Sequence, residues 1–132
     1  MIAYHCNSST ILQTSLRSSS NKHCILAFNS IMERFRQRGH KVDHHVMDNE
    51  CSADFKRVIT EYWKATFQLF LPDMNRRNID ERAICTFKAN FLAILAGVDS
   101  AFLRYLWDTL LLPTEINLNL LRRSTLNPHM SA

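Results

Sequence analysis

The sequence predicts an α/β fold in which helices cover a sheet. Short β-prone segments alternate with segments whose apolar residues recur at helical spacing, in the order ββ-α-β-α-β-α-α. The chain has 132 residues, of which 46% are hydrophobic, and this is enough for a domain with its own core. Because no repeat or long linker divides the chain, we expect a single domain over residues 1–132.

The chain opens with two β-prone segments, residues 2–6 and 10–16. The Asn-Ser-Ser sequence between them is typical of a turn, so a hairpin is expected. Residues 21–38 follow as a predicted helix, because their apolar residues recur on one face. Gly39 comes directly after this segment, where a helix favours glycine at its C-terminus.

The middle of the chain alternates between strand and helix patterns. Residues 41–47 have a strand pattern that ends at Asp48. Residues 52–60 suggest a short helix, and residues 65–71 a strand that Pro72 closes. Polar side chains at strand ends are candidates for a site in such folds.

The last two segments are apolar. Residues 78–96 predict a longer helix, because apolar side chains fall at near-helical spacing. Residues 101–121 are also apolar, but Pro113 interrupts them and the part after it alternates with a period of two. Helix and strand therefore both stay open for that part.

The composition limits the function classes only weakly. Sixteen Lys and Arg against twelve Asp and Glu give a net charge of +4, which slightly favours an anionic partner. The four cysteines form no C-x-x-C pair, which favours reduced thiols in an intracellular protein. No apolar stretch is long enough to span a bilayer, and no signal peptide is visible, so no membrane partner is expected.

Asp48 is the first candidate site residue. A carboxylate at a strand end suits a hard metal ion and the activation of water. The alternative is that Asp48 and Asn49 are turn or cap residues, which is the commoner role for such a pair.

Glu81 lies 33 residues further on, in the first turn of the predicted 78–96 helix. Lys88 follows it on the same helix face, so that a carboxylate and a cation could meet a metal and a phosphate backbone. The alternative is a glutamate that is favoured by the helix dipole. The basic residues around Glu81 are Arg76, Arg77 and Arg82.

A zinc site is the weaker metal hypothesis. It would use residues that are close in sequence: His40, His44, His45 and Cys51. His44 and His45 point to opposite faces of a strand, whereas structural zinc needs four converging ligands.

Three segments together carry a resemblance to a known family. They are HHVMDNE at 44–50, RRNIDERAICTFKANFLAIL at 76–95 and LWDTLLLPTEINLNLLRRSTLNPHMSA at 106–132. The chain resembles the catalytic core of copia-type retroelement integrases over nearly its whole length, and the middle segment is the most specific part.

This resemblance implies a ribonuclease-H-like mixed sheet flanked by helices, with a triad of two aspartates and one glutamate. The triad holds two Mg²⁺ or Mn²⁺ ions, which drive the processing of element DNA ends and their transfer into target DNA in the nucleus. Asp48 matches the second aspartate, Glu81 the glutamate, and Lys88 a helix lysine that approaches DNA. Arg76, Arg77 and Arg82 would add DNA contacts.

The chain also departs from the family pattern. The family's first aspartate lies on a first, central strand, and this chain matches from the second strand onward, with His5 and Asn7 where an aspartate is usual. We therefore expect a partial core that has exposed sheet edges and impaired catalysis. The alternatives are a non-catalytic module that binds DNA, helped by Arg122 and Arg123, and a protein-interaction module. The residues for a homodimer would be Phe102, Leu106, Leu110 and Leu120.

Overall fold

The computed structural model describes residues 1–47, 51–69 and 79–132, without the side chains of residues 79, 80 and 104. The fold is mixed α/β, as expected, and its elements follow the predicted order. The described strands are β1 (Ile2–His5), β2 (Thr10–Gln13), β3 (His44–Met47) and β4 (Thr66–Leu69). The described α-helices are α1 (Asn21–Gln37), α2 (Ala53–Arg57), α3 (Ile79–Ala96) and α4 (Leu111–Leu121). A π-helical turn continues α2 over Val58–Tyr62, and a 3₁₀ helix precedes α4 over Arg104–Leu110.

The chain divides into two compact units. The first consists of Met1 and Leu16–Arg77, and the second of Ile2–Ser15 and Asn78–Ala132. Each unit has its own cluster of buried apolar side chains. The expectation of one domain over residues 1–132 stays a prediction.

The first unit is built around one face of α1. Phe28 and Met32 are buried there and pack with Phe55, Ile59 and Ala65 in one cluster. The spacing of four between Phe28 and Met32 puts both side chains on the same helix face, as the sequence pattern predicted. Burial of these side chains, and not helix propensity alone, stabilises α1.

The ends of the helices in this unit have clear local causes. Gly39 follows α1 with a φ of +78°, a conformation in which a side chain would be strained, so the predicted C-terminal role is confirmed. Ser52 precedes α2, and its Oγ accepts a hydrogen bond of 3.2 Å from the Phe55 N–H. Strands β3 and β4 of the same unit pair in parallel, with His44 opposite Thr66.

The second unit contains the predicted hairpin, which is confirmed. Strands β1 and β2 are antiparallel, with Tyr4 opposite Ile11. Ser9 in the turn between them has a φ of 61°. Ile11 is completely buried and packs with side chains of α3 and α4: Ala83, Phe87 and Leu118.

Side chains of α4 bond to the outer edge of β2. The Asn119 Oδ1 accepts a 2.9 Å hydrogen bond from the Ile11 N–H, and the Asn119 Nδ2 donates one of 2.8 Å to the Ile11 carbonyl. The Glu115 Oε2 accepts a 3.0 Å hydrogen bond from the Gln13 N–H. These bonds replace those that a third strand would make at this edge.

The described strands form two separate two-stranded sheets, so the single sheet implied by the element order is not formed among them. On the β2 side the physical reason is visible, because Asn119 and Glu115 occupy the backbone groups that a further strand would need. One sheet is antiparallel and the other is parallel.

The open question over residues 101–121 is resolved in favour of helix. Pro113 lies in the first turn of α4, where its missing N–H breaks no intrahelical bond. The alternating segment after it forms a helix and not a strand. Glu115 and Leu118 are buried on one side of this helix, while Ile116 and Leu120 remain exposed. In the part of the chain that the structure describes, no helix combines the length and the apolar character needed to cross a membrane.

Candidate nucleic-acid interface

Helix α3 has an apolar side and a polar side. Ala83 and Phe87 are buried, at 4% and 3% exposure, and they attach the helix to the core of the second unit. About 3.6 residues per turn then place other side chains on the opposite side, facing solvent. Glu81, Cys85 and Lys88 share this side, and Arg82 flanks it; all four are exposed, and we call them the α3 polar face.

The charges of the α3 polar face are not neutralised within the described part of the chain. The described ion pairs lie elsewhere, at Arg36–Glu33, Lys41–Asp43 and Arg57–Asp54. Glu81 and Lys88 are seven residues apart, which is about 10 Å along a helix and too far for a direct pair. Among the described side chains, the cations of Arg82 and Lys88 therefore have no acidic partner and can meet an external anion.

The other predicted site residues lie outside the described residues. Asp48 follows β3 directly, and Arg76 and Arg77 precede α3. Of the predicted catalytic and DNA-binding residues, the structure thus positions Glu81, Arg82 and Lys88, and it brings these three together on one helix.

No group of three metal-ligating side chains is formed by the residues that the structure describes. The residues of the zinc hypothesis are all within that part and point in different directions. His44 Nδ1 lies 2.7 Å from the Thr66 Oγ1, and the Cys51 thiol contacts the Met47 sulfur at 3.8 Å. The zinc hypothesis is therefore not supported by the geometry of these side chains.

His45 in the first unit has a clearly lowered pKa. Its ring packs edge-on against Phe28, with 5.2 Å between the ring centroids. Burial of the ring, and to a smaller extent the nearby His44, lowers the pKa of His45 to about 4. The ring is therefore neutral at pH 7, and it adds no positive charge for a nucleic-acid partner.

The turn between β1 and β2 holds a polar network that the sequence reasoning missed. The His5 Nδ1 lies 2.7 Å from the Ser8 Oγ, which lies 2.8 Å from the Thr10 Oγ1. A serine beside a histidine can act as a nucleophile that the histidine activates as a general base. Ser8, however, is only 4% exposed and also bonds to Thr10. We interpret the network as one that holds the turn.

A distant residue completes this network. The Thr125 hydroxyl can donate to the carbonyls of Cys6 and Asn7, and it lies 3.2 Å from the Ser9 Oγ. Thr125 is more than a hundred residues away in sequence, so no local pattern could reveal the contact.

No protein-family model matches the chain, and no curated protein is significantly similar to it. The resemblance to integrases therefore stays a hypothesis, and the α3 polar face is the part of it that the structure describes in detail.

Proposed function

We propose that the chain is a remnant of a copia-type retroelement integrase core that contacts DNA through the α3 polar face and has impaired catalysis. The observation that carries this proposal is the exposure of Glu81 and Lys88 on one side of α3, with the exposed Arg82 beside them. The resemblance assigns a role toward metal or DNA to each of these three residues. A core-facing orientation of any of them would have argued against it.

The chemistry of the α3 polar face suits a phosphate backbone. Arg82 presents a planar group that can contact two phosphate oxygens, and Lys88 presents a compact charge. Contacts of this kind supply affinity and orientation without reading sequence. Duplex DNA is therefore the proposed partner, and the nucleus is the proposed place of action.

The pairing of the strands supports the finer proposal of a ribonuclease-H-like core. A mixed sheet contains both antiparallel and parallel neighbours, and the described strands supply one pair of each kind. The two pairs lie in separate two-stranded sheets, so this support comes from the kinds of strand pairing and from the resemblance.

Catalysis by two Mg²⁺ or Mn²⁺ ions requires several carboxylates that hold both ions. Glu81 is exposed and could serve as a ligand, and Asp48 is the second matched carboxylate. His5 and Asn7 stand where the family favours an aspartate, so the resemblance implies an incomplete donor set. We therefore propose weak ion binding by this chain and derive no chemical step from it.

A protein-interaction module is the second candidate function, because part of the predicted dimer surface is exposed. Leu106 and Leu120 are 38% and 65% exposed, whereas Phe102 and Leu110 are half-buried. A second copy of the chain could cover the exposed leucines. The α3 polar face would also suit a DNA-binding module that does not derive from a catalytic domain.

The double substitution Arg82→Gln and Lys88→Gln should weaken the binding of duplex DNA. Each lost phosphate contact reduces the slope of log K against log salt by about 1, so the double variant should lose about 2. Fluorescence anisotropy with a labelled duplex, at several salt concentrations, measures this slope.

The matched control is Lys22→Gln, which removes an exposed cation from α1 in the other unit. It should bind DNA as the unaltered protein does. If the slope of log K against log salt fell equally in the control and in an α3 variant, DNA would be attracted by the net positive charge alone. This result would contradict the proposal. If instead the protein joins DNA ends with Mn²⁺ and Glu81→Gln abolishes this activity, the catalysis is not impaired.

A further inference from the structure

A groove of about 610 Å³ lies at the C-terminal end of α4, within the second unit. Its volume falls in the range of sites that bind small molecules or single nucleotides. The groove is lined by the end of α4 and by the residues that follow it: Leu120, Leu121, Arg122, Arg123, Pro128, His129, Met130 and Ser131.

The wall of this groove is held by backbone hydrogen bonds. The Ser124 N–H donates to the Met130 carbonyl at 3.0 Å, and Arg123 forms a bridge with Ser131. The Ala132 N–H donates to the carbonyl of Asn119 at 3.1 Å. The chain after α4 thus folds back onto the helix end, so a ligand would meet a largely preformed site.

The groove carries positive charge without a compensating acidic side chain. Arg122 and Arg123 line it, and none of the side chains that line it is Asp or Glu. The Arg122 guanidinium lies 5.4 Å from the centre of the Tyr4 ring, which holds it in place, while Arg123 is exposed.

A helix C-terminus disfavours anions, because its last carbonyls point toward the ligand. At the end of α4 this effect is reduced. The Leu118 carbonyl accepts a hydrogen bond from the Arg122 N–H, and the carbonyls of Asn119 and Arg122 accept from the Ala132 N–H. These hydrogen bonds reduce the negative partial charge that the helix end presents to the groove.

Apolar side chains form the rest of the wall. Leu121 is 81% exposed and Met130 is 62% exposed, although both are large and apolar. A ligand that covers them would remove apolar surface from water, which is favourable. The groove therefore suits a molecule with an anionic group beside a flat or apolar body.

We propose that this groove binds single-stranded nucleic acid. Arg122 and Arg123 contact a phosphate, and an unpaired base lies against Leu121 and Met130, with His129 available for stacking. An unpaired base offers a free face to the apolar wall, whereas the α3 polar face is proposed to contact phosphates alone. The inference goes beyond the proposed function and holds whether or not the chain derives from an integrase.

The test uses the full chain and a fluorescein-labelled oligothymidine of about ten nucleotides. Arg123→Gln should weaken binding about tenfold and lower the salt slope by about 1. Met130→Asp should weaken binding at least as much, because it places a negative charge where the base lies. The matched control is Lys22→Gln, which removes an exposed cation from α1 and should leave binding of the single strand unchanged.

Each outcome decides the question. Single-strand binding that is unchanged in either Arg123→Gln or Met130→Asp would overturn the proposal. Equal competition by inorganic phosphate and by thymidine monophosphate would also overturn it, because the groove would then hold phosphate alone. Stronger competition by the nucleotide supports it. Circular dichroism of each variant separates lost binding from lost folding, and Met130 is exposed enough for its variant to fold.

Discussion

Replacing Asn119 by alanine should lower the free energy of unfolding of the second unit by about 3 kcal/mol. The substitution removes both side-chain partners of Ile11, whose N–H and carbonyl are bonded at 2.9 Å and 2.8 Å. Ile11 is completely buried and Asn119 is half-buried, so water can replace these bonds only in part. An unsatisfied buried polar group costs about 1–3 kcal/mol, and two are created here.

The spacing of the residues explains why this contact is possible. Residues four apart on a helix are separated by about 6 Å along its axis, and alternate residues of a strand by nearly 7 Å. Glu115 and Asn119 on α4 therefore match Gln13 and Ile11 on β2. We infer that these two polar side chains, and not the apolar contacts alone, determine the register between α4 and the hairpin.

Urea unfolding of Asn119→Ala measures the effect. In a Trp63→Phe background the fluorescence of Trp107, which packs edge-on against Phe91 at 6.2 Å, reports on the second unit. Asn117→Ala is the matched control, because Asn117 is exposed on the same helix. It should change the free energy of unfolding by less than about 0.5 kcal/mol. Equal effects of the two substitutions would contradict the role given to Asn119.

Acidification from pH 7 to pH 4 should destabilise the first unit by about 3 kcal/mol through His45. The folded state lowers the pKa of His45 from 6.5 to about 4. Between these two values the unfolded chain binds more protons than the folded one, so stability falls as the pH falls. Each pKa unit corresponds to about 1.4 kcal/mol.

Urea unfolding at several pH values tests this, with Trp63 as the reporter in a Trp107→Phe background. Trp63 packs against the core of the first unit, and its Nε1 donates to the Asn29 Oδ1 at 2.8 Å. His45→Gln should remove most of the pH dependence in this range. His44→Gln should keep most of it, because burial is the larger cause of the lowered pKa. If His44→Gln removes the dependence instead, repulsion between the two rings is the main cause.

Local patterns predicted much of this fold. The hairpin followed from a turn sequence between β-prone segments, and α1 and α3 followed from apolar side chains at helical spacing. The alternating sequence of α4 left helix and strand open, because both sides of this helix are apolar. Its helical form becomes clear only from the burial of Glu115 and Leu118 in the second unit.

The candidate sites could likewise be predicted from local patterns only in part. Helical spacing was enough to place Glu81 and Lys88 on one face of α3. The groove at the end of α4 could not be predicted, because it depends on the backbone bonds that fold Met130 back toward Ser124. The bonds from Asn119 to Ile11 join residues more than a hundred positions apart, so no window along the sequence contains both partners.

The central claim is that the α3 polar face contacts duplex DNA, and hydrogen–deuterium exchange of the full chain with and without a duplex tests it most directly. Exchange in α3 around Arg82 and Lys88 should slow when the duplex is added, and this protection should fade at high salt. Control peptides from α1 should exchange at the same rate in both samples. Protection that appears elsewhere and leaves α3 unchanged would contradict the account.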